Sequence, residues 1–155
     1  MATVIFSLGS NIGDREFHLE QARIGLQEFM NDLRASLVIE TEPLYVTDQP
    51  AFLNQVVMGK ADILPDALVT LTKALQQHIG RIKTFQNGPR EIDIDMLYYD
   101  DLIINTDELV IPHPRIAERL FVLEPLCELM PDWICPVTRK SMQEMLGELI
   151  QREDG

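Results

Sequence analysis

The run Asn87-Gly88-Pro89-Arg90-Glu91-Ile92-Asp93-Ile94-Asp95 sets an arginine just ahead of two carboxylates spaced two residues apart. Polar and apolar residues alternate from Glu91, which reads as a strand reaching Tyr99. Successive strand side chains point to opposite faces, so Asp93 and Asp95 share one side while Ile92, Ile94 and Met96 fill the other. At about 3.3 Å per residue the aspartates lie roughly 6 to 7 Å apart along the backbone, within reach of a pair of divalent ions. Magnesium suits such a pair, because it takes one or two carboxylates from a protein and completes its shell with water and substrate phosphates. The solvated face of an ordinary amphipathic strand also reads Asp-x-Asp. Two features weigh against that plainer reading: aspartate is depleted in strands, and like charges on one face repel unless a cation compensates them. Gly88-Pro89 supplies a stiff turn that directs Arg90.

Other residues have the chemistry of a polyphosphate site. Arg81, Lys83 and Arg90 bracket the loop before the aspartates, and a guanidinium fork matches phosphate oxygens. Any one of them is equally a solvated surface cation; their crowding around a carboxylate pair is what points to phosphoryl-type transfer. His113 lies between two prolines, with Arg115 and Arg119 after it, and either adds donors to the same phosphates or is a turn residue capped by its neighbours. Phe52 and Asn54 stand at i and i+2, where a ring and an amide can meet one ligand; Phe121 offers a second ring, and core packing accounts for both rings as well. Gly9-Ser10-Asn11-Ile12-Gly13 either turns backbone N–H groups and the Asn11 amide toward a ligand or simply joins a strand to a helix. Neither Gly-x-x-x-x-Gly-Lys-Ser/Thr nor Gly-x-Gly-x-x-Gly occurs, so a P-loop ATPase is excluded.

The elements that must hold these residues follow from periodicity. Thr3 to Leu8 reads as a buried strand, followed by a helix with Leu19, Ala22, Leu26, Phe29 or Met30, and Leu33 on one face. A second strand is expected over Leu37 to Thr41, a loop over Glu42 to Pro50, and a third strand from Phe52 to Ala61. Pro65 opens a helix with an apolar stripe of Leu68, Leu71, Leu75 and Ile79, and Gly80 ends it. After the Asp-bearing strand come short strands at Leu102 to Ile104 and Glu108 to Ile111, then helical pattern beyond Pro114. The final helix begins at Ser141 with Glu144 three residues on, a capping box. This order predicts an α+β fold with a ferredoxin-like (split βαβ), mostly antiparallel sheet and helices packed on it.

Composition bounds the rest. The 155 residues make one domain, 1–155, long enough to bury roughly 70% of the unfolded surface. With no internal repeat and no apolar run near the roughly 20 residues of a membrane span, a soluble cytoplasmic protein is expected, with no membrane partner. A net charge of −12 argues against nucleic acid, so an anionic ligand must be met locally by metal ions and a few arginines. Cys127 and Cys135 share no ligand spacing with His18, His78 or His113 and read as reduced core thiols, not a zinc site. A monomer is expected.

Taken together these segments resemble the 6-hydroxymethyl-7,8-dihydropterin pyrophosphokinases of folate biosynthesis. The similarity rests on Leu8-Gly9-Ser10-Asn11, Thr41-Glu42-Pro43, Asp48-Gln49-Pro50-x-Phe52-Leu53-Asn54, Gly88-Pro89-Arg90-x-x-Asp93-Ile94-Asp95, and Ile111-Pro112-His113-Pro114-Arg115 with Arg119-x-Phe121. The resemblance implies a single pyrophosphokinase domain that moves diphosphate from ATP to the pterin hydroxymethyl group. It implies that Asp93 and Asp95 hold two magnesium ions, and that Arg81, Lys83, Arg90, His113 and Arg119 contact phosphates or nucleotide. Pterin would lie between Phe52 and Phe121, its polar edge read by Asn54 and the backbone from Thr41 through Glu42 to Leu44, with Met96 and Val110 beside adenine.

The chain departs from the family pattern at Gln76, where a glutamate is common, and at Gln86-Asn87, where Arg-Trp is common. A gating loop short of one cation and one aromatic cover implies weaker nucleotide clamping or slower turnover, which steady-state kinetics of Asn87→Trp beside the parent would test. Two other classes share many of these residues: a pterin binder that does not catalyse transfer, and a ferredoxin-like small-molecule sensor with an incidental aspartate pair.

Overall fold

The structure is a computed structural model that describes residues 1–81 and 85–154. Its sheet contains β1 (Ala2–Ser10), β2 (Asn31–Ala35), β3 (Ile39–Thr41), β4 (Phe52–Ala61) and β5 (Asp93–Tyr99), in the order β2-β4-β1-β5 with β3 also paired to β4. Every pairing is antiparallel. Helix α1 (Arg15–Gln27) carries the chain from β1 to β2 with β4 intervening, and α2 (Pro65–Ile79) carries it from β4 to β5 with β1 intervening. Two interlocked split βαβ units result, the ferredoxin-like arrangement expected. A hairpin of β6 (Ile104–Asn105) and β7 (Val110–Ile111), a short 3-10 turn (Ile116–Glu118), α3 (Leu120–Leu129) and α4 (Met142–Asp154) follow.

Each sheet face has its own core. Leu8, Leu53, Val57, Ile94 and Met96 project to one side, where α1 and α2 cover them with Leu19, Leu26 and Leu68. Ile5, Val56, Met58, Leu97 and Tyr98 project to the other, under Val122, Leu123, Leu126, Met142 and Met145 of α3 and α4. Those two helices cover only part of that second face. Toward Gly9, Asn54 and Asp93 the face is left uncovered, and a cleft forms there.

Several boundaries follow from local chemistry. Pro65 stands at the start of α2, and Gly80, at φ +122°, ends it by donating its N–H to the Gln76 and Gln77 carbonyls. At α4 the Ser141 N–H donates to Glu144 Oε1 at 3.1 Å and the Glu144 N–H to Ser141 Oγ at 3.0 Å, the reciprocal box anticipated.

The structure corrects four expectations. The segment read as one strand over Leu37 to Thr41 is β3 alone, and Leu33, placed on the helix face, belongs to a separate β2. Strand β2 is almost wholly exposed and carries an irregularity between Asn31 and Arg34, with Asp32 at φ +54°. Its strand character comes from pairing with β4, which leaves no apolar alternation in its own sequence. Leu71 is 38% exposed, while Thr72 and Gln76 are buried in its stead, so α2 turns a partly polar stripe inward. Alternation in β5 also ends early: Phe6 pairs Met96 but Ile5 pairs Tyr98, so Leu97 is an extra residue that sends Leu97 and Tyr98 to the same core.

Candidate active site

Strand register places the site residues in rows. Gly9 pairs with Asn54 on one side and Asp93 on the other, and Ser7 pairs with Val56 and Asp95, so these positions share the second face; Val56 lies under its helices and the others border the uncovered part. Phe52 adjoins on the same face of β4, with Thr41 opposite it on β3. The Asn54 side-chain amide donates to Thr41 Oγ1 at 2.5 Å, and its oxygen lies beside Gly9. Because Gly9 has no side chain, the floor between Asn54, Phe52 and Asp93 stays open.

Asp93 sits between two arginines. Its Oδ1 accepts from Arg81 Nη1 at 3.1 Å and its Oδ2 from Arg90 Nε at 3.2 Å. Arg81 reaches it because the left-handed Gly80 turns the chain sharply out of α2, with the Arg81 N–H still bonded to the Gln76 carbonyl. Arg90 also donates Nη1 to the Gly88 carbonyl, and its guanidinium lies over the Phe52 ring.

Asp95 has a different environment. Burial by surrounding protein holds its carboxyl well above the usual carboxylate range; repulsion by Asp93 and a hydrogen bond to it add to this, against weaker pulls from Arg119 and Arg90. Some solvent-exposed surface remains on the residue, so the site is crowded but open to a ligand. Without a cation the Asp95 carboxyl therefore favours keeping its proton.

His113 receives the Arg115 N–H on Nδ1 at 3.2 Å, as a capped turn residue would. That bond leaves Nε2 as the protonated nitrogen of the neutral ring. Burial and the nearby Arg119 push its pKa down to about 4, so at neutral pH it is an uncharged donor. The hydrogen bond bears out the capped-turn reading of His113.

Three adjoining clefts gather the expected residues. The first is lined by Thr41, Glu42, Leu44, Phe52, Asn54 and Phe121, together with Arg90, Asp93, Asp95 and Arg119. The second brings Arg81 and His113 to the same aspartates, and the third runs along the outer edge of β5 past Met96 and Val110. Lys83 lies outside the described residues. Among the described residues no three His, Cys, Asp or Glu side chains converge as a metal cage, so any cation held here rests on Asp93, Asp95 and oxygens from water or ligand.

Several contributors were not legible beforehand. Tyr45, at φ +63°, packs its ring against the Arg115 guanidinium at 4.5 Å, while its hydroxyl donates to Glu118 at 2.8 Å and accepts from Arg119 Nε at 3.3 Å. Gln49 donates to the Val46 and Asn87 carbonyls and accepts from Asn11. Gln76 accepts the Ile94 N–H at 2.6 Å, pinning α2 to the Asp-bearing strand. Asn11 does not offer its amide to a ligand: Nδ2 donates to Gln49 and the Pro50 carbonyl, and Oδ1 accepts the Arg90 N–H at 2.9 Å. It is a buried staple between three loops, and only the Asp48-Gln49-Pro50 motif hinted at its neighbours.

Residues 5–131 match the 7,8-dihydro-6-hydroxymethylpterin-pyrophosphokinase (HPPK) family. The chain is 40% identical over 148 residues to the 2-amino-4-hydroxy-6-hydroxymethyldihydropteridine pyrophosphokinase of Aquifex aeolicus, covering 96% of this chain and 92% of that protein. It is 36% identical over 151 residues to the folic acid synthesis protein fol1 of Pneumocystis carinii; that match covers 97% of this chain but spans only 20% of the longer relative. A crystal structure of Plasmodium falciparum HPPK-DHPS shares the fold at a TM-score of 0.77 and 14% identity, covering 97% of this chain and 46% of that one. No helix among the described residues is long and apolar enough to cross a membrane. On the strength of the family match and the relative of similar length, this chain belongs to the 7,8-dihydro-6-hydroxymethylpterin-pyrophosphokinase family.

Proposed function

We propose that this chain transfers diphosphate from ATP to the hydroxymethyl group of 6-hydroxymethyl-7,8-dihydropterin, giving AMP and the pterin diphosphate. The observation that carries the reading is the row Asn54, Gly9, Asp93, which joins a two-ring cleft directly to a carboxylate pair flanked by arginines. The pterin lies between Phe52 and Phe121, where a flat heterocycle gains from stacking on both faces. Asn54, with Thr41 and the backbone at Glu42 and Leu44, reads its polar edge, and a wrong ring would leave those buried groups unpaired.

The donor set suits magnesium: hard carboxylate oxygens, with Asp95 destabilised as an anion until a cation meets it. Asp93 and Asp95 would hold two ions, which when bound neutralise phosphate oxygens and lower the proton affinity of the pterin hydroxyl. Arg81, Arg90 and Arg119, with Lys83, bind phosphate oxygens, and His113 donates from Nε2 as a neutral ring. Met96 and Val110 receive the adenine. The pterin hydroxyl oxygen bonds to the β-phosphorus as the bond from that phosphorus to the α,β-bridging oxygen breaks. AMP leaves with that oxygen, and the hydroxyl proton passes to water. The monomer and its cytoplasmic setting are part of the same reading.

An AMP-release assay with ATP, magnesium and the reduced hydroxymethylpterin tests it. One AMP per pterin diphosphate is expected. Pterin binding without AMP would favour a non-catalytic binder, and binding of neither substrate would favour a sensor of another kind.

A further inference from the structure

We propose that Lys73 binds the α-phosphate of the nucleotide, the group that departs as AMP; this rests on the nucleotide reading above and assigns it one more residue. Lys73 lies on α2 three positions before Gln76, hence on the same helix face, and Gln76 is buried against the β5 backbone through its bond to the Ile94 N–H. Lys73 itself is exposed beside that anchor. The lysine lines both the cleft that holds Arg81, Arg90 and Arg119 and the neighbouring one that holds Met96 and Val110. A side chain shared by the phosphate cleft and the nucleoside cleft stands where a nucleoside joins its polyphosphate.

The other cations of the phosphate cleft already have partners. Arg81 and Arg90 are committed to Asp93, and Arg119 to Tyr45. Lys73 has no hydrogen bond or ion pair among the described residues, in a chain of net charge −12. An ammonium on a flexible four-carbon stem is a point charge that can follow a phosphate. The charge on the α-phosphate rises when its bridging oxygen is released, so the contact holds AMP at least as well as ATP.

Titration calorimetry of AMP and of adenosine against the parent, Lys73→Gln and Lys73→Arg tests this. Because AMP and adenosine do not react, binding is read apart from turnover. Lys73→Gln is expected to weaken AMP by roughly 3- to 10-fold, less at high salt, and to leave adenosine unchanged; Lys73→Arg restores AMP. Unchanged AMP affinity in Lys73→Gln, or an equal loss for adenosine, overturns the assignment while leaving the transfer reaction standing. A parent that binds neither ligand overturns the nucleotide reading and this inference together.

Discussion

The guanidinium carbon of Arg90 lies 4.6 Å from the centroid of the Phe52 ring. Both residues line the cleft assigned to the pterin, so the arginine covers aromatic surface that the heterocycle needs. Three attractions hold it there: the ring, the Asp93 carboxylate at 3.2 Å and the Gly88 carbonyl. Under the proposed function, a cation on Asp93 would compete with the second and free Arg90 for phosphate. Arg90→Ala is therefore expected to bind pterin more tightly than the parent when no nucleotide is present, by about 2- to 5-fold for one cation–π contact, while transfer falls at least 10-fold. Calorimetry of pterin alone and AMP release read the two effects, and equal pterin affinity in both proteins would disprove the cover.

Asp95 sets function against stability. Its carboxyl binds its proton more tightly in the folded protein than in the unfolded chain, so the contribution of this group to folding stability is fullest below the ordinary carboxylate range. It falls as pH rises from that range through the raised value, where the unfolded chain ionises freely and the folded one does not. Asp95→Asn should therefore melt higher than the parent at neutral pH in EDTA, with the difference shrinking toward pH 4. The same variant should lose transfer by 100-fold or more. Thermal melts across pH, with and without magnesium, check the sign; an Asp95→Asn protein less stable than the parent at pH 8 would refute it.

Gly9 marks the floor of the cleft assigned to the pterin. A Cβ there would meet Asn54 Oδ1 at 3.6 Å and Phe52 Cδ1 at 3.7 Å, ordinary contact distances. Gly9→Ala is thus expected to fold with unchanged or slightly raised stability, since glycine inside a strand costs roughly 0.5 to 1 kcal/mol relative to alanine. The methyl stands in ligand space, so KM for the pterin should rise several-fold with KM for ATP unchanged. Steady-state kinetics with each substrate varied separates the two.

Asn87 bears on the loop that the sequence suggested was under-covered. Its φ is +59°, inside a turn closed by the Gly88 N–H to the Phe85 carbonyl at 2.9 Å. Asparagine tolerates that conformation, and a bulky side chain does not. Asn87→Trp is expected to cost about 1 kcal/mol without lowering KM for ATP, contrary to the reading of a simple missing aromatic. Asn87→Gly should be close to the parent in melting temperature. Gly88 is tied to the same turn, since a Cβ on it would fall 2.9 Å from both the Phe85 ring and its carbonyl oxygen.

Much of this protein is written locally. Alternation placed Asp93 and Asp95 on one face and Ile92, Ile94 and Met96 on the other because a strand has a period of two whatever surrounds it. Pro65, Gly80 and the Ser141–Glu144 pair marked helix ends through bonds made within one turn. Tertiary structure alone decided what the carboxylates meet. Asn11 bonds to Arg90 and Gln49, 79 and 38 residues away, Gln76 bonds to Ile94 across 18, and Tyr45 to Glu118 across 73. Such contacts leave no periodic trace, because they depend on where the sheet brings distant loops together. The exposed β2 is the same case in the backbone: its hydrogen bonds are supplied by β4, and only a folded β4 makes those five residues a strand.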